Sequence, residues 1–554
     1  MNLMQDMPKG KIIAPDTDWW RGAVIYQVYP RSFQDSNGDG IGDLAGIIHR
    51  MEHIAELGVD AVWISPFFRS PMLDFGYDVS DYRDVDPMFG SLGDFDALIA
   101  RAHDLGLKVL IDLVLSHTSN QHPWFQESQS NTTNAKADWY VWADAKPDGT
   151  PPNNWLSIFG GSSWEWSGER MQYYLHNFLK EQPDLNFHNP DVQEELLSVA
   201  RFWLDRGVDG FRLDTINFYI HDKQLRDNPA LDPAARNATI APEVNPYNWQ
   251  DHLYDKNQPE NLEFLRRLRA VMDEYPAVTA VGEVGDGQYG LQLQAEYTSG
   301  GDKMHMCYSF EFLSGQPPTA ERFGAVLLDY ENEIGDGWAC WAFSNHDVVR
   351  HASRWNLGEQ GRRLITGVLL SLRGSVCLYQ GEELGLTEAY VAYEDLQDPY
   401  GIRFWPKFKG RDGCRTPMPW IADNQNGGFS DAKPWLPVAV EHLSQSVANQ
   451  SQNPDSTLHF YRRMIAFRQS YDALTKGSLE LLNTSDGILS FLRMHGDQTL
   501  FCAFNMTGGA LPITLPDGVW TQDRGAPFEP LETDNGVTLP PFQAYFAARA
   551  ADSH

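Results

Sequence analysis

Val109-Leu-Ile-Asp-Leu-Val-Leu-Ser-His117 is an apolar run that stops abruptly on polar side chains, the profile of a buried strand whose last residues leave the core. The same profile recurs in Gly210-Phe-Arg-Leu-Asp214, Val281-Gly-Glu283-Val and Phe343-Ser-Asn-His346-Asp347. Further β-rich runs are Val24 to Tyr29, Ala61 to Ile64, Met304 to Phe310 and Ser375 to Tyr379; with Val109–Leu115, Gly210–Leu213, Val278–Val281 and Cys340–Phe343 they make eight. Helical patterns lie between them at Ile47 to Leu57, Phe95 to Leu105 and Val192 to Arg206, each followed by a glycine (Gly58, Gly106, Gly207), as helix C-termini commonly are. Alternation of this kind predicts an α/β chain, and eight repeats predict a closed (β/α)8 TIM barrel rather than an open sheet.

One connection is far longer than a barrel loop needs. Residues 117–189 form an insertion after strand 3, on the side where such barrels keep their active sites. It carries Trp124, Trp139, Trp142, Trp155, Phe159, Trp164, Trp166 and Phe178. Aromatic faces pack against the C–H faces of a sugar ring, so the insertion reads as a lid, with a small satellite core as the competing use of the same residues. The domain expectation is residues 1–116 for the first part of the barrel, 117–189 for the lid and 190–472 for the second part. The second part includes an irregular subdomain at about 386–426. Residues 473–554 alternate in short segments and form a C-terminal all-β domain.

The formal charge of -32 opposes nucleic acid and anionic membranes as partners and is indifferent to neutral ligands. The first ten residues lack a charged and then apolar leader pattern, and no apolar run approaches a membrane span. Five scattered cysteines show no metal spacing. A reduced, cytoplasmic protein without a membrane anchor is the expectation, as a monomer or homodimer.

Asp214, Glu283 and Asp347 fall at three different strand ends. Cleaving a glycosidic bond needs one protonated and one ionised carboxyl group across the anomeric carbon. In Arg212-Leu-Asp214 the two polar residues are i and i+2 on a strand and share a face. The arginine would keep Asp214 ionised, as a nucleophile requires, while the apolar setting of Glu283 raises its pKa, as a general acid requires. Asp347 could hold sugar hydroxyls beside His346. His117 closes strand 3 in the same manner.

These segments, with Gln182-Pro-Asp-Leu-Asn186 and Asp74-Phe-Gly-Tyr77-Asp78, resemble the conserved regions of glycoside hydrolase family 13, the α-amylase family. More narrowly they are similar to its exo-acting oligo-1,6-glucosidase and α-glucosidase branch. The resemblance runs from Trp19-Trp20-Arg21 and Tyr26-Gln-Val-Tyr-Pro-Arg-Ser-Phe33 to the C-terminal domain. It implies Asp214 as nucleophile, Glu283 as acid/base and Asp347 as transition-state stabiliser. It also implies a subsite for the non-reducing glucose lined by Asp74, Tyr77, His117, Phe159, Phe178, Arg212, His346 and Arg411, with Asp74 and Arg411 clamping the far hydroxyls. Thr215, after the nucleophile, stands where this branch carries threonine or alanine for α-1,4 preference and valine for α-1,6.

The implied activity is a retaining exo-α-glucosidase on short, neutral α-glucosides such as maltose or sucrose, with transglucosylation to alcohol or sugar acceptors. An oligo-1,6-glucosidase or a sucrose or trehalose isomerase is the alternative. No Arg-Leu-Asp-Arg run of the sucrose isomerases occurs between Glu283 and Trp341. No organic cofactor is expected. Asp35, Asn37, Asp39, Ile41 and Asp43 set oxygen donors at alternate positions of a glycine-turned loop, like the start of an EF-hand but without its later glutamate. The resemblance implies a structural Ca²⁺ there, with Mg²⁺ as the alternative. Ser116 replaces the calcium-binding asparagine of α-amylases.

Overall fold

The computed structural model describes residues 16–484, 486–529, 531 and 536–550; the first ten residues, read above for a leader, lie outside them. Eight parallel strands form one sheet: β1 (Val24–Val28), β2 (Ala61–Ile64), β3 (Lys108–Leu113), β4 (Gly210–Leu213), β5 (Thr279–Val284), β6 (Met306–Ser309), β7 (Cys340–Ala342) and β8 (Ser375–Tyr379). Their order in space is β6-β5-β4-β3-β2-β1-β8-β7. A parallel bridge between Cys307 and Ala339 joins the two edge strands, so the sheet closes into the expected barrel.

Alternation along the strands explains what the barrel encloses. Ile25, Ala61, Leu110, Val281, Met306, Cys340 and Cys377 share one small inner core. Two residues further along the same strands stand Gln27, Trp63, Asp112, Glu283 and Tyr308, which by the period of two point inward as well. Register sets Asp112 opposite Arg212 on β4, and Glu283 opposite Tyr308 on β6. An apolar plug therefore carries a polar layer at the C-terminal ends. The outer residues of the strands, such as Val62, Ile111 and Phe211, pack into the large core beneath the helices.

Helices α1 (Leu44–Glu56), α2 (Leu92–Asp104), α3 (Pro190–Asp205), α4 (Asn261–Met272), α5 (Gly290–Thr298), α6 (Ala320–Glu333), α7 (Glu359–Leu369) and α8 (Thr457–Gln469) follow the strands in turn. The first three begin two or three residues before their apolar periodicity does. Asp43, Ser91 and Asn189 cap them, each accepting a backbone N–H from the first turn. Gly58, Gly106 and Gly207 stand just beyond their ends with φ of 83°, 79° and 93°.

The insertion builds its own three-stranded sheet from Trp142–Ala143, Gln172–Leu175 and Trp164–Ser167. Most of its aromatics serve a local core. Phe125 stacks on Trp142 and meets Tyr174 edge-on, and Trp155 stacks on Trp164. The C-terminal unit starts at Ser478, a few residues after the expected boundary, as an antiparallel five-stranded sheet with a two-stranded ribbon beside it. Phe467 of α8 packs against Phe546 to join it to the barrel.

Candidate active site

β4 delivers the nucleophile candidate. Its Arg212 is fully buried and donates from Nη1 to Asp214 Oδ1 at 2.7 Å and to Asp112 Oδ1 at 2.8 Å. From Nη2 it reaches Glu283 Oε2 at 2.7 Å. One guanidinium thus holds both carboxylates that a glycosidase needs. Thr215 ties them a second time. Its backbone N–H donates to Glu283 Oε2 and its hydroxyl to Asp214 Oδ2, both at 3.2 Å. Thr215 does so in the left-handed region, with φ of 38°. For a β-branched residue that conformation costs roughly 1–2 kcal/mol, and it turns the chain so that N–H and hydroxyl face the two acids.

Burial decides the protonation states more than charge does. It lifts Asp214 to about 6 against the pull of Arg212, so the arginine limits the shift and Asp214 stays ionised at neutral pH. Glu283 rises to about 8, because burial and the charges of Asp214 and Asp347 outweigh Arg212. At neutral pH the pair is one carboxylate and one carboxylic acid. Burial also opposes charge on Asp347, and yet its pKa falls far below the usual range. His346 is held neutral by its own burial, so the cations responsible are Arg411, 3.3 Å from Asp347 Oδ1, and Arg415, at 3.0 Å, with Arg212 further off.

A cavity with about 130 Å³ of accessible space opens above these groups. Asp74, Tyr77, His117, Phe159, Phe178, Thr215, Arg411 and the three acids line it. The Arg411 guanidinium donates to Asp74 at 2.8 Å and lies over the Phe159 ring, so one end of the cavity is shut by a buried ion pair on an aromatic plate. Asp398 braces the same arginine from behind at 2.8 Å. His117 drops to about 4 through burial and donates from Nε2 to the Tyr77 carbonyl at 3.0 Å.

Arg212 and His346 do not line the cavity; they stand behind its wall. His346 has no exposed surface, and both of its ring nitrogens are engaged. Gln27 donates to Nδ1 at 2.7 Å, and Nε2 meets the Tyr77 hydroxyl, which donates onward to Asp112 at 3.0 Å. The expectation that Arg212 and His346 line the subsite is corrected accordingly: His346 orients Tyr77 and Asp347.

The Asp35–Asp43 turn lies apart from the acids. Asp35 accepts the backbone N–H groups of Asn37, Gly38 and Gly40 and the Ser430 hydroxyl. Asn37 and Asp39 are exposed, and each accepts a backbone N–H two residues on. Asp43 spends Oδ1 on capping α1 and Oδ2 on Ser36. The all-oxygen donor set suits a hard cation. Among the described residues, however, no three His, Cys, Asp or Glu side chains gather closely enough to hold a metal.

Residues 27–477 match the family model of the α-amylase catalytic domain. The chain belongs to glycoside hydrolase family 13. Within that family it falls in the oligo-1,6-glucosidase-like branch. It is 64% identical over 543 residues to a probable α-glucosidase of Rhizobium meliloti, covering 97% of this chain and 98% of that one. It is 37% identical over 544 residues to the oligo-1,6-glucosidase of Heyndrickxia coagulans, covering 91% and 95%. Among solved structures, the α-glucosyl transfer enzyme XgtA superposes with a TM-score of 0.93 at 53% identity, over 96% of this chain and 99% of that chain.

Several residues of this hydrolase carried no usable signal in the sequence. Ile158, Phe218, Thr239, Ile240, Phe310, Val348 and Tyr400 are also in the cavity wall, but they are ordinary apolar or hydroxyl residues on loops or short helical turns. Asp398 and Arg415 belong to the irregular stretch after β8. Among the described residues no helix is long and apolar enough to cross a membrane, and all five cysteines are buried and free.

Proposed function

We propose that this glycoside hydrolase is a retaining exo-α-glucosidase that releases α-glucose from short α-1,4-glucosides. The observation that carries the reading is a cavity closed by Asp74–Arg411, behind whose wall one guanidinium bridges the Asp214 and Glu283 carboxyl groups. Bridging of that kind draws the two carboxyl groups toward the ~5–5.5 Å separation of retaining enzymes. Asp214 attacks the anomeric carbon as the bond to the leaving oxygen breaks, and the Glu283 proton passes to that oxygen. A β-glucosyl ester on Asp214 results. Glu283, now ionised, takes a proton from water or from an acceptor hydroxyl; the new oxygen bonds to the anomeric carbon and the Asp214 carboxylate is freed. Asp347 faces the positive charge that develops on the ring.

Transfer to hydroxyl acceptors is part of the proposal. The likeness to an α-glucosyl transfer enzyme supports it, as do the apolar side chains of Ile240, Phe310 and Val348 in the cavity wall, against which an organic acceptor packs better than water. The α-1,4 preference rests on Thr215. A structural Ca²⁺ or Mg²⁺ on the Asp35–Asp43 turn, with no part in any step, belongs to the same proposal. So does a cytoplasmic location, supported by five unpaired thiols.

The test is a time course on maltose, isomaltose and sucrose, with anomeric configuration followed by NMR, beside Asp214→Asn. We expect maltose to be cut fastest and α-glucose to appear first, with about 10⁴-fold loss in the variant. β-Glucose as first product would overturn the nucleophile assignment. Faster isomaltose cleavage would overturn the linkage alone, and conversion of sucrose to an isomer would replace hydrolysis by isomerisation.

A further inference from the structure

Glu283 is held on more sides than its catalytic role alone requires. Arg212 Nη2 and the Thr215 N–H both approach Oε2, while Oε1 has a different partner, the Tyr308 hydroxyl at 3.0 Å. Tyr308 faces Glu283 in register on β6 and is buried. It does not line the substrate cavity; it borders a small void inside the barrel, beside Trp63 and Arg212. Its oxygen accepts two N–H groups from Arg212, Nη2 at 2.7 Å and Nε at 3.2 Å. A phenol oxygen has two acceptor positions and one proton. With both positions taken, the proton has one place left to go.

We propose that Tyr308 is a positioning residue for the acid/base step: Arg212 pins its oxygen as an acceptor, which turns its only proton onto Glu283 Oε1 and locks the plane of that carboxyl group. The inference rests on the reading of Glu283 as the acid/base. Burial keeps Tyr308 a phenol at any working pH, so it remains a donor. With the bond present, both oxygens of Glu283 are anchored and the acid cannot swing about Oε2 away from the leaving oxygen. The bond also favours the ionised form that must act as base in the second half of the reaction. The other charged groups facing Glu283 are Arg212 of β4, Asp214 just after it, Asp347 from the loop after β7 and Asp112 of β3.

The experiment compares Tyr308→Phe with Glu283→Gln on maltose and on α-glucosyl fluoride, whose leaving group needs no proton. For Tyr308→Phe we expect kcat on maltose to fall about 10- to 100-fold with KM within about twofold. Activity on the fluoride should change less than about threefold. The alkaline limb of kcat/KM should move up by about one pH unit, because the ionised form has lost a donor. Equal losses on both substrates, no loss on either, or an unmoved limb would overturn the positioning role. Normal maltose cleavage by Glu283→Gln would instead overturn the acid/base assignment beneath it. Should Tyr308→Phe not fold, 3,5-difluorotyrosine at position 308 keeps the shape and strengthens the donor. The limb should then move down, and a limb that stays or rises would overturn the proposal.

Discussion

Acids crowd two places in this barrel, the strand-end cluster and the Asp35–Asp43 turn, and different partners answer their charge. In the cluster, Asp112, Asp214, Glu283, Asp347, Asp74 and Asp398 are answered by three arginines, Arg212, Arg411 and Arg415. In the turn, Asp35, Asp39 and Asp43 are answered chiefly by backbone N–H groups and hydroxyls. Backbone donors hold a loop in shape and cannot change their charge. A guanidinium shared among several carboxylates fixes the total charge of a site and leaves the individual acids free to exchange protons with a substrate. Acid density alone does not separate a reactive site from a structural one; the identity of the counter-groups does.

The largest effect expected from breaking this contrast comes from Arg411. It serves Asp74, Asp398 and Asp347 together, and Asp74 and Asp398 are almost wholly buried. Arg411→Ala leaves those charges without their partner, at a cost of about 3–5 kcal/mol in stability. It also opens the closed end of the cavity, so kcat/KM on maltose should fall about 10²- to 10³-fold, with much of the loss in KM. Arg411→Lys restores charge but not the fork geometry and should fall between. Steady-state kinetics beside a thermal melt would decide it; an unchanged KM in a folded variant would remove the clamp from the mechanism.

A smaller effect, and one confined to the cluster, is its titration. The proposed mechanism needs the free enzyme with Asp214 ionised and Glu283 protonated. With Asp214 pushed up to about 6 and Glu283 to about 8, kcat/KM should rise as pH passes 6 and fall as it passes 8. The two values belong to the coupled set around Arg212, in which Asp112 also rises to about 6 through burial. A profile already declining between pH 6 and 7 would mean that Arg212 offsets much more of the burial shift on Glu283 than a value of about 8 allows.

What the sequence made legible follows from the same physics. A polar side chain that ends an apolar run is a local signal, so Asp214, Glu283 and Asp347 could be read directly, as could eight strands from their apolar blocks. Tyr308 was hidden because a tyrosine inside an apolar run reads as core, and its one polar atom matters only through register with Glu283. Asp398 and Arg415 come from an irregular loop, where no periodicity says which way a side chain points. Asp43 carried two signals at once. The same carboxylate that suits a cation in an alternating motif is also an N-cap, and that second role explains why α1 starts at Leu44. The insertion's aromatics read as a lid, but of the eight only Phe159 and Phe178 reach the cavity.

The turn gives the smallest effect. Asp35 receives two donors on each oxygen, which fills the roughly four acceptor positions of a carboxylate. The loop is therefore satisfied before any ion arrives. A cation must either displace some of those bonds or rely on Asn37, Asp39 and the Ile41 carbonyl. Binding should accordingly be weak, in the range of about 10⁻⁴–10⁻³ M. At tenfold excess over such a Kd, linkage supplies only about 1.4 kcal/mol. For a chain this size, that raises Tm by about 1–2 °C. Melting in millimolar Ca²⁺ against EGTA, with Mg²⁺ as a second arm, measures it. No shift in either ion would leave the turn a purely hydrogen-bonded device. A shift above about 5 °C would mean that a cation answers these acids as the arginines answer the cluster, and the contrast between the two regions would fail.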